Sequence, residues 1–187
     1  MKKILVLASI AMLAACNSGE PVKTDSMQSS ADSTSPASAM KTITSPYQIF
    51  YSSEFAMDEP KNAETLLALW KAWDGGDLSA HKDLFADSVE MHFADGTIIH
   101  SSRDSVVAMA QKVRDMIASS VSSVNVVMAV KSIDQNSNWA AIWGKEVDTY
   151  KNGKIDSANL QETWRFNKDG KADLMFQYKQ AAAPPKK

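Results

Sequence analysis

Cysteine is almost absent: Cys16 is the only one in 187 residues, so no disulfide can form within the chain. Neither charge is in excess, with 20 Lys+Arg against 22 Asp+Glu and a formal net charge of -2. That balance removes the basic footprint of a nucleic-acid-binding surface, so no nucleic-acid partner is expected. His81, His92 and His100 are the only histidines, and no two have metal-ligand spacing on one element, so no metal is expected. The chain has no phosphate loop and no nucleophile elbow, and no cofactor is expected. What is present is 44% hydrophobic residues, too many for a wholly disordered chain, over a length that suits one ordinary domain plus a tail.

The first segment reads as an address. Met1-Lys2-Lys3 is a cationic start, and the apolar run Ile4 to Leu13 is too short to span a bilayer as a helix. Leu13-Ala14-Ala15-Cys16 follows and resembles the bacterial lipobox. The resemblance implies removal of signal peptide 1–15, diacylation of Cys16, and a membrane partner reached through that lipid. It explains a lone cysteine without redox or metal chemistry. Asn17 stands where an Asp would resemble an inner-membrane retention signal, so the expected location is the cell envelope, at the outer membrane.

Residues 16–45 form a Ser/Thr/Ala-rich stretch without aromatics, which cannot bury enough surface to offset its ordering entropy. They read as a disordered tether carrying the lipidated cysteine. Asp25-Ser26-Met27 and Asp32-Ser33-Thr34 resemble a Bacteroidota O-glycan acceptor motif, with a plain polar linker as the alternative. A domain is expected over 46–180, then a short tail over 181–187.

Within the domain, Tyr47, Ile49 and Tyr51 alternate as a short strand would. Asp58-Glu59-Pro60 reads as a helix start, and Ala63, Leu66, Leu67, Trp70 and Trp73 share one helical face up to Gly75-Gly76. Asp77 caps a second short helix. Val89, Met91 and Phe93 alternate into an Asp95-Gly96 turn, with Ile98-Ile99 returning. Ser101 to Asp104 has capping-box spacing and opens a third helix, with Val106, Ala110, Val113 and Ile117 on one face. Strands follow over about 123–133, 139–150, 155–166 and 172–179, joined through Asn152-Gly153 and Lys168-Asp169-Gly170. The predicted class is α+β, a curved antiparallel sheet packed against about three N-terminal helices.

Trp70-Lys71-Ala72-Trp73-Asp74-Gly75-Gly76-Asp77, Leu84-Phe85-Ala86-Asp87, Asp95-Gly96 and Arg103-Asp104 come in this order across residues 60–180. Together they resemble the SnoaL-like branch of the nuclear-transport-factor-2-like superfamily. The resemblance implies a cystatin-like cone enclosing a pocket, and a homodimer through the outer sheet face. Members of that family include isomerases, dehydratases, epoxide hydrolases, cyclases and proteins without chemistry, so fold alone does not choose an activity.

Turn registers predict which side chains face the pocket. Reading Asn152-Gly153 as a two-residue turn sets Tyr150 opposite Ile155 and Trp143 opposite Glu162. The inner face would then carry Trp139, Trp143 and Lys145 beside Leu160, Glu162 and Trp164. A three-residue loop at Lys168-Asp169-Gly170 adds Phe176 and Tyr178 to it. A two-residue Asp95-Gly96 turn sets Met91 opposite His100 and turns His100 inward.

The candidate catalytic residues are Glu162, tuned by its diagonal neighbour Lys145, and His100 as a proton shuttle. Against this stand a partly buried Lys145–Glu162 ion pair closing the cone, and a rim histidine bonded to backbone. The candidate ligand-binding residues are Trp70, Trp73, Trp143, Lys145, Trp164, Phe176 and Tyr178, with most of the indoles equally readable as core. Three functional readings stay open: a lipid-anchored envelope protein whose cone binds a small apolar molecule or a partner, an enzyme of the isomerase, dehydratase or hydrolase kind, and an interaction module with a filled pocket.

Overall fold

The computed structural model describes residues 43–181. The signal segment, Cys16, most of the tether and all but the first residue of the expected tail lie outside the described residues; Ala181 ends the last strand. Seven strands form one sheet: β1 (Phe55–Met57), β2 (Phe85–His92), β3 (Ile98–Ser102), β4 (Ile117–Ser132), β5 (Asn138–Tyr150), β6 (Ile155–Phe166) and β7 (Ala172–Ala181). Their order across the sheet is β1-β4-β5-β6-β7-β2-β3, antiparallel except where β2 runs parallel to β7. Helices α1 (Lys61–Gly75) and α2 (Arg103–Arg114), with a 3-10 helix over Ser79–Leu84, pack on one face. This is the expected α+β arrangement of a curved sheet against three helical segments.

The helix ends follow their sequence signals, some shifted by a residue. Gly76 takes the left-handed conformation (φ 85°) and its N–H bonds back to Ala72 and Trp73, ending α1. Asp77 Oδ1 accepts from Ala80 N at 3.1 Å and opens the 3-10 helix. The cap of α2 is Ser102 rather than Ser101, accepting from Ser105 N. Asp58 caps nothing; its N–H bonds to the Ala129 carbonyl. Ile117 does not extend α2 but begins β4, which is therefore longer than predicted. Residues 47–51 form no strand. Tyr51 lies on the sheet's outer face and packs edge-on against Trp139 and Phe176 at 5.6 and 5.4 Å between ring centroids.

Arg114 ties the end of α1 to the sheet. Its guanidinium is buried and donates to the carbonyls of Trp73, Asp74 and Ile117, a cation set on the negative end of the α1 dipole. Asp74 adds a second tie, accepting from the hydroxyl and the N–H of Ser122 on β4.

Three of the four hairpin loops among the described residues have three residues, each ending in a glycine at positive φ: Gly96 (87°), Gly153 (83°) and Gly170 (72°). Phe93 pairs with Thr97, Tyr150 with Lys154 and Asn167 with Lys171 through N–H to carbonyl bonds of 2.8 to 2.9 Å. Two of these were expected as two-residue turns, and the extra residue moves the register by one. On β5 the inward residues are therefore Ala140, Ile142, Gly144, Glu146 and Asp148, opposite Trp164, Glu162, Leu160, Ala158 and Asp156. The face expected inside, Trp139, Trp143 and Lys145, is the outer one. On β3, His100 pairs with Glu90 and Ile99 with Met91, which turns His100 outward. The third loop has the expected length, but an irregularity between Arg165 and Phe166 shifts the rest of β7 by one. Met175 and Gln177 consequently point inward, and Phe176 and Tyr178 outward.

Curvature comes from a bulge in β4 between Val124 and Val126, facing Gly144. A Cβ placed on Gly144 would lie 2.1 Å from the Ser123 carbonyl oxygen, so only glycine permits the two backbones to approach this closely. The bend wraps the inner face around α1. Leu66, Ile142 and Val89 are completely buried there, within a core that includes Trp70, Trp164, Phe166 and Met175.

Candidate functional site

The concave face does not close fully on the helices. A cavity of about 180 Å³ lies between α1, α2 and the inner faces of β2, β5, β6 and β7. Helix α1 contributes Leu69, Trp70 and Trp73, and α2 contributes Val106, Val107 and Ala110. The strands add Phe85, Met91, Leu160, Trp164 and Met175. Against these apolar walls stand four polar side chains: Ser122, Glu146, Glu162 and Gln177.

Glu162 is buried, with 7% of its surface exposed, and is held by three donors. Its Oε2 accepts from the indole N–H groups of Trp70 (2.8 Å) and Trp164 (3.0 Å), and its Oε1 from the Gln177 amide (2.9 Å). These bonds occupy three of roughly four acceptor sites on the carboxylate and fix both indoles in place. A buried carboxylate without a cationic partner is tolerable here because charge-assisted hydrogen bonds replace its hydration.

Glu146 is the second carboxyl group in the cavity, facing Ser122 across β4 and Ala158 across β6. Burial first, and then the like charge of the neighbouring Asp148 and Glu162, together push its pKa up to about 8. Lys179 acts weakly in the other direction. Asp148, two residues along on the same face of β5, is itself buried, and its Oδ1 has no donor among the described residues. Lys179 is engaged with Asp156 at 3.0 Å. The indole N–H of Trp73 is buried and likewise without a partner among the described residues.

Of the residues singled out from the sequence, Trp70, Trp73, Trp164 and Glu162 meet in this cavity. The other five do not reach it. Lys145 is exposed on the outer face and forms no pair with Glu162. Trp143 and Tyr178 line a shallow hollow on that same face. Phe176 packs against Tyr51 and lies 4.6 Å from His92, ring to ring. His100 is exposed, with its Nε2 3.1 Å from Ser88 Oγ. Each displacement follows from the one-residue register shifts already described.

Glu146 and Gln177 were missed for the same reason. For Glu146 the signal is the residue preceding Asn152-Gly153, as Ala94 before Asp95-Gly96 is for His100, whereas nothing in the sequence marks the irregularity that turns Gln177 inward. With a type I turn followed by a left-handed glycine, Lys151 and Ala94 count as loop residues, and the inward parity of the adjoining strand reverses.

No protein-family model matches the chain, and no curated protein matches it by sequence. Solved structures do match in fold. One is a nuclear-transport-factor-2-like protein of unknown function from Burkholderia pseudomallei, 20% identical, covering 64% of this chain and 91% of its own, with a TM-score of 0.52. Another is AusH from Aspergillus nidulans, 12% identical, covering 68% and 89%, with a TM-score of 0.54. A LEH-like epoxide hydrolase from M. tuberculosis is 8% identical and covers 64% and 83%, with a TM-score of 0.52. At these identities the likeness is one of fold: the described domain is a nuclear-transport-factor-2-like cone.

Proposed function

We propose that this protein is a lipid-anchored cell-envelope protein whose cone holds a compact, largely apolar small molecule between α1 and the inner sheet face. The observation that carries this reading is the cavity itself: aromatic and aliphatic walls with a few polar groups gathered among them, the usual chemistry of a small-molecule site. Its volume, about 180 Å³, is near that of engineered apolar cavities that take a benzene-sized guest. Anchoring through Cys16 rests on the lipobox-like sequence, and placement at the outer membrane on Asn17.

A second reading is favoured by one specific feature. A carboxyl group poised near neutrality in a desolvated cavity is what general acid–base catalysis uses, and Glu146 is such a group. In that reading Glu146 exchanges the proton with substrate while Glu162 holds Trp70 and Trp164 around it. An epoxide hydrolase shares this fold, and so do proteins of unknown function.

Native mass spectrometry of the full chain, extracted from its membrane in detergent, tests the reading. The expected result is a covalent diacyl adduct on a chain beginning at Cys16, together with a non-covalent small-molecule mass. That second mass should be lost in Leu69→Trp, which fills the cavity with a larger apolar side chain. An unmodified cysteine sinks the anchor. A small-molecule mass unaffected by filling the cavity sinks the site.

A further inference from the structure

The cavity lining has a feature that an apolar guest alone does not explain. Its ionisable groups, Glu146 and Glu162, are both carboxyl groups, with no lysine, arginine or histidine beside them in the lining among the described residues. Behind Trp73 the buried Arg114 guanidinium is taken up by the carbonyls of Trp73, Asp74 and Ile117, and on the sheet side the groups around Glu146 add further carboxyls. Asp148 lies inward on β5, and Asp156 on β6 faces it across the pair. Lys179 on β7 is the cation there, already bonded to Asp156. Asp148 is 7% exposed and has an oxygen without a donor among the described residues. Carboxyl groups thus gather beside three indoles, Trp70, Trp73 and Trp164, in a space enclosed by apolar side chains.

From this juxtaposition we infer that the ligand is a small organic cation, an alkylammonium with apolar substituents, seated against the tryptophans with its charge toward Glu146. The inference rests on the ligand-binding reading above and names the class of ligand for that same site. An ammonium carrying methyl groups keeps apolar contact with Leu69, Val106 and Met175, while its positive charge is attracted to indole faces and to carboxylate. Glu162, already accepting three hydrogen bonds, keeps the indoles in position, and Glu146 supplies the counter-charge. Binding therefore displaces the proton from Glu146: the O–H bond breaks, the proton leaves to buffer, and the carboxylate pairs with the cation. A neutral guest of the same shape leaves that proton where it is.

Choline and 3,3-dimethylbutan-1-ol share size and shape and differ in charge, which makes them a decisive pair of probes. Each is titrated into the full chain, with indole N–H resonances and calorimetry as readouts. Choline is expected to bind about 10-fold more tightly than the alcohol, the equivalent of one favourable cation contact. Its affinity should rise from pH 6 to pH 9, and the alcohol's should not. In buffers of different ionisation enthalpy at pH 7, choline should release a substantial fraction of one proton per site. In Glu146→Gln the preference for choline should fall toward parity. The proton count on the unaltered protein keeps the test valid if that variant does not fold. Equal or tighter binding of the alcohol overturns the cation assignment and leaves the ligand site standing. If neither probe moves the cavity indoles, the cation assignment falls, and the site itself is judged by the mass of whatever the extracted protein carries.

Discussion

Glu146 holds a proton that an exposed glutamate would lose, and the cause is its setting rather than any special chemistry. Burial removes water from the carboxylate, and Asp148 and Glu162 add like charge. Because the folded pKa, about 8, lies above the ordinary value of 4.5, the native state binds more protons than the unfolded state between those pH values. The stability from this group is fully present below about pH 4.5 and is lost as pH rises through about 8. Glu146→Gln keeps the shape and removes the titration. The variant and the parent should match near pH 4, and the variant should be the more stable by about 2 kcal/mol at pH 9, the full shift being discounted for partial exposure. Chemical denaturation of the two full-length chains from pH 4 to pH 9 measures this directly. Parallel curves would show that Glu146 titrates as an ordinary surface carboxylate.

The elements show where sequence reading succeeds and where it stops. Periodicity located α1, α2 and the four long strands, because their apolar faces are buried and burial imposes the period. Trp70, Trp73 and Glu162 could be placed in the cavity because helix and strand parity there does not depend on a turn. Lys145 and His100 could not, since their facing is set by loops in which one residue decides everything. Counting Lys151 as a strand residue exchanged Lys145 for Glu146, and with it a cation for an acid inside the cavity. The irregularity at Arg165 and Phe166 had no sequence signal at all.

Gly144 shows the same limit from the other side: in sequence it is an isolated strand glycine, whereas in the fold it is the hinge of the bend. Gly144→Ala would drive a methyl group into the Ser123 carbonyl, costing about 3 kcal/mol and lowering Tm by about 10 °C. Gly75→Ala is the control: its added Cβ meets nothing within 4 Å, and the helix favours alanine. Equal melting temperatures for the two variants would mean that the sheet can bend without a glycine.

At the scale of the whole molecule the outer sheet face matters most, because it carries what the inner face was expected to hold. Tyr51 covers Trp139 and Phe176, and leaves Trp143 and Tyr178 beside the shallow hollow on β5, β6 and β7. Tyr178 is 61% exposed, and Val121 and Val126 on β4 are 64% and 36% exposed. Apolar side chains clustered on a face with paired backbone suit a two-fold interface, where each residue meets its own symmetry mate or a neighbour. We propose that two copies join through this face. A membrane anchor on each chain would favour that pairing by raising the effective concentration of one for the other, and two anchors would hold the pair more firmly than one. Tyr178→Lys tests the interface without disturbing the fold, since an exposed side chain far from core contacts costs at most about 0.5 kcal/mol. Light scattering on the full chain in detergent should give a dimer for the parent and a monomer for the variant, with unchanged melting temperature extrapolated to low protein concentration. A monomeric parent would remove the dimer, and a dimeric variant would move the interface to another surface. Either way the cavity, which opens on the opposite side of the sheet, should keep its ligand, because none of Val121, Val126, Trp143 and Tyr178 lines it.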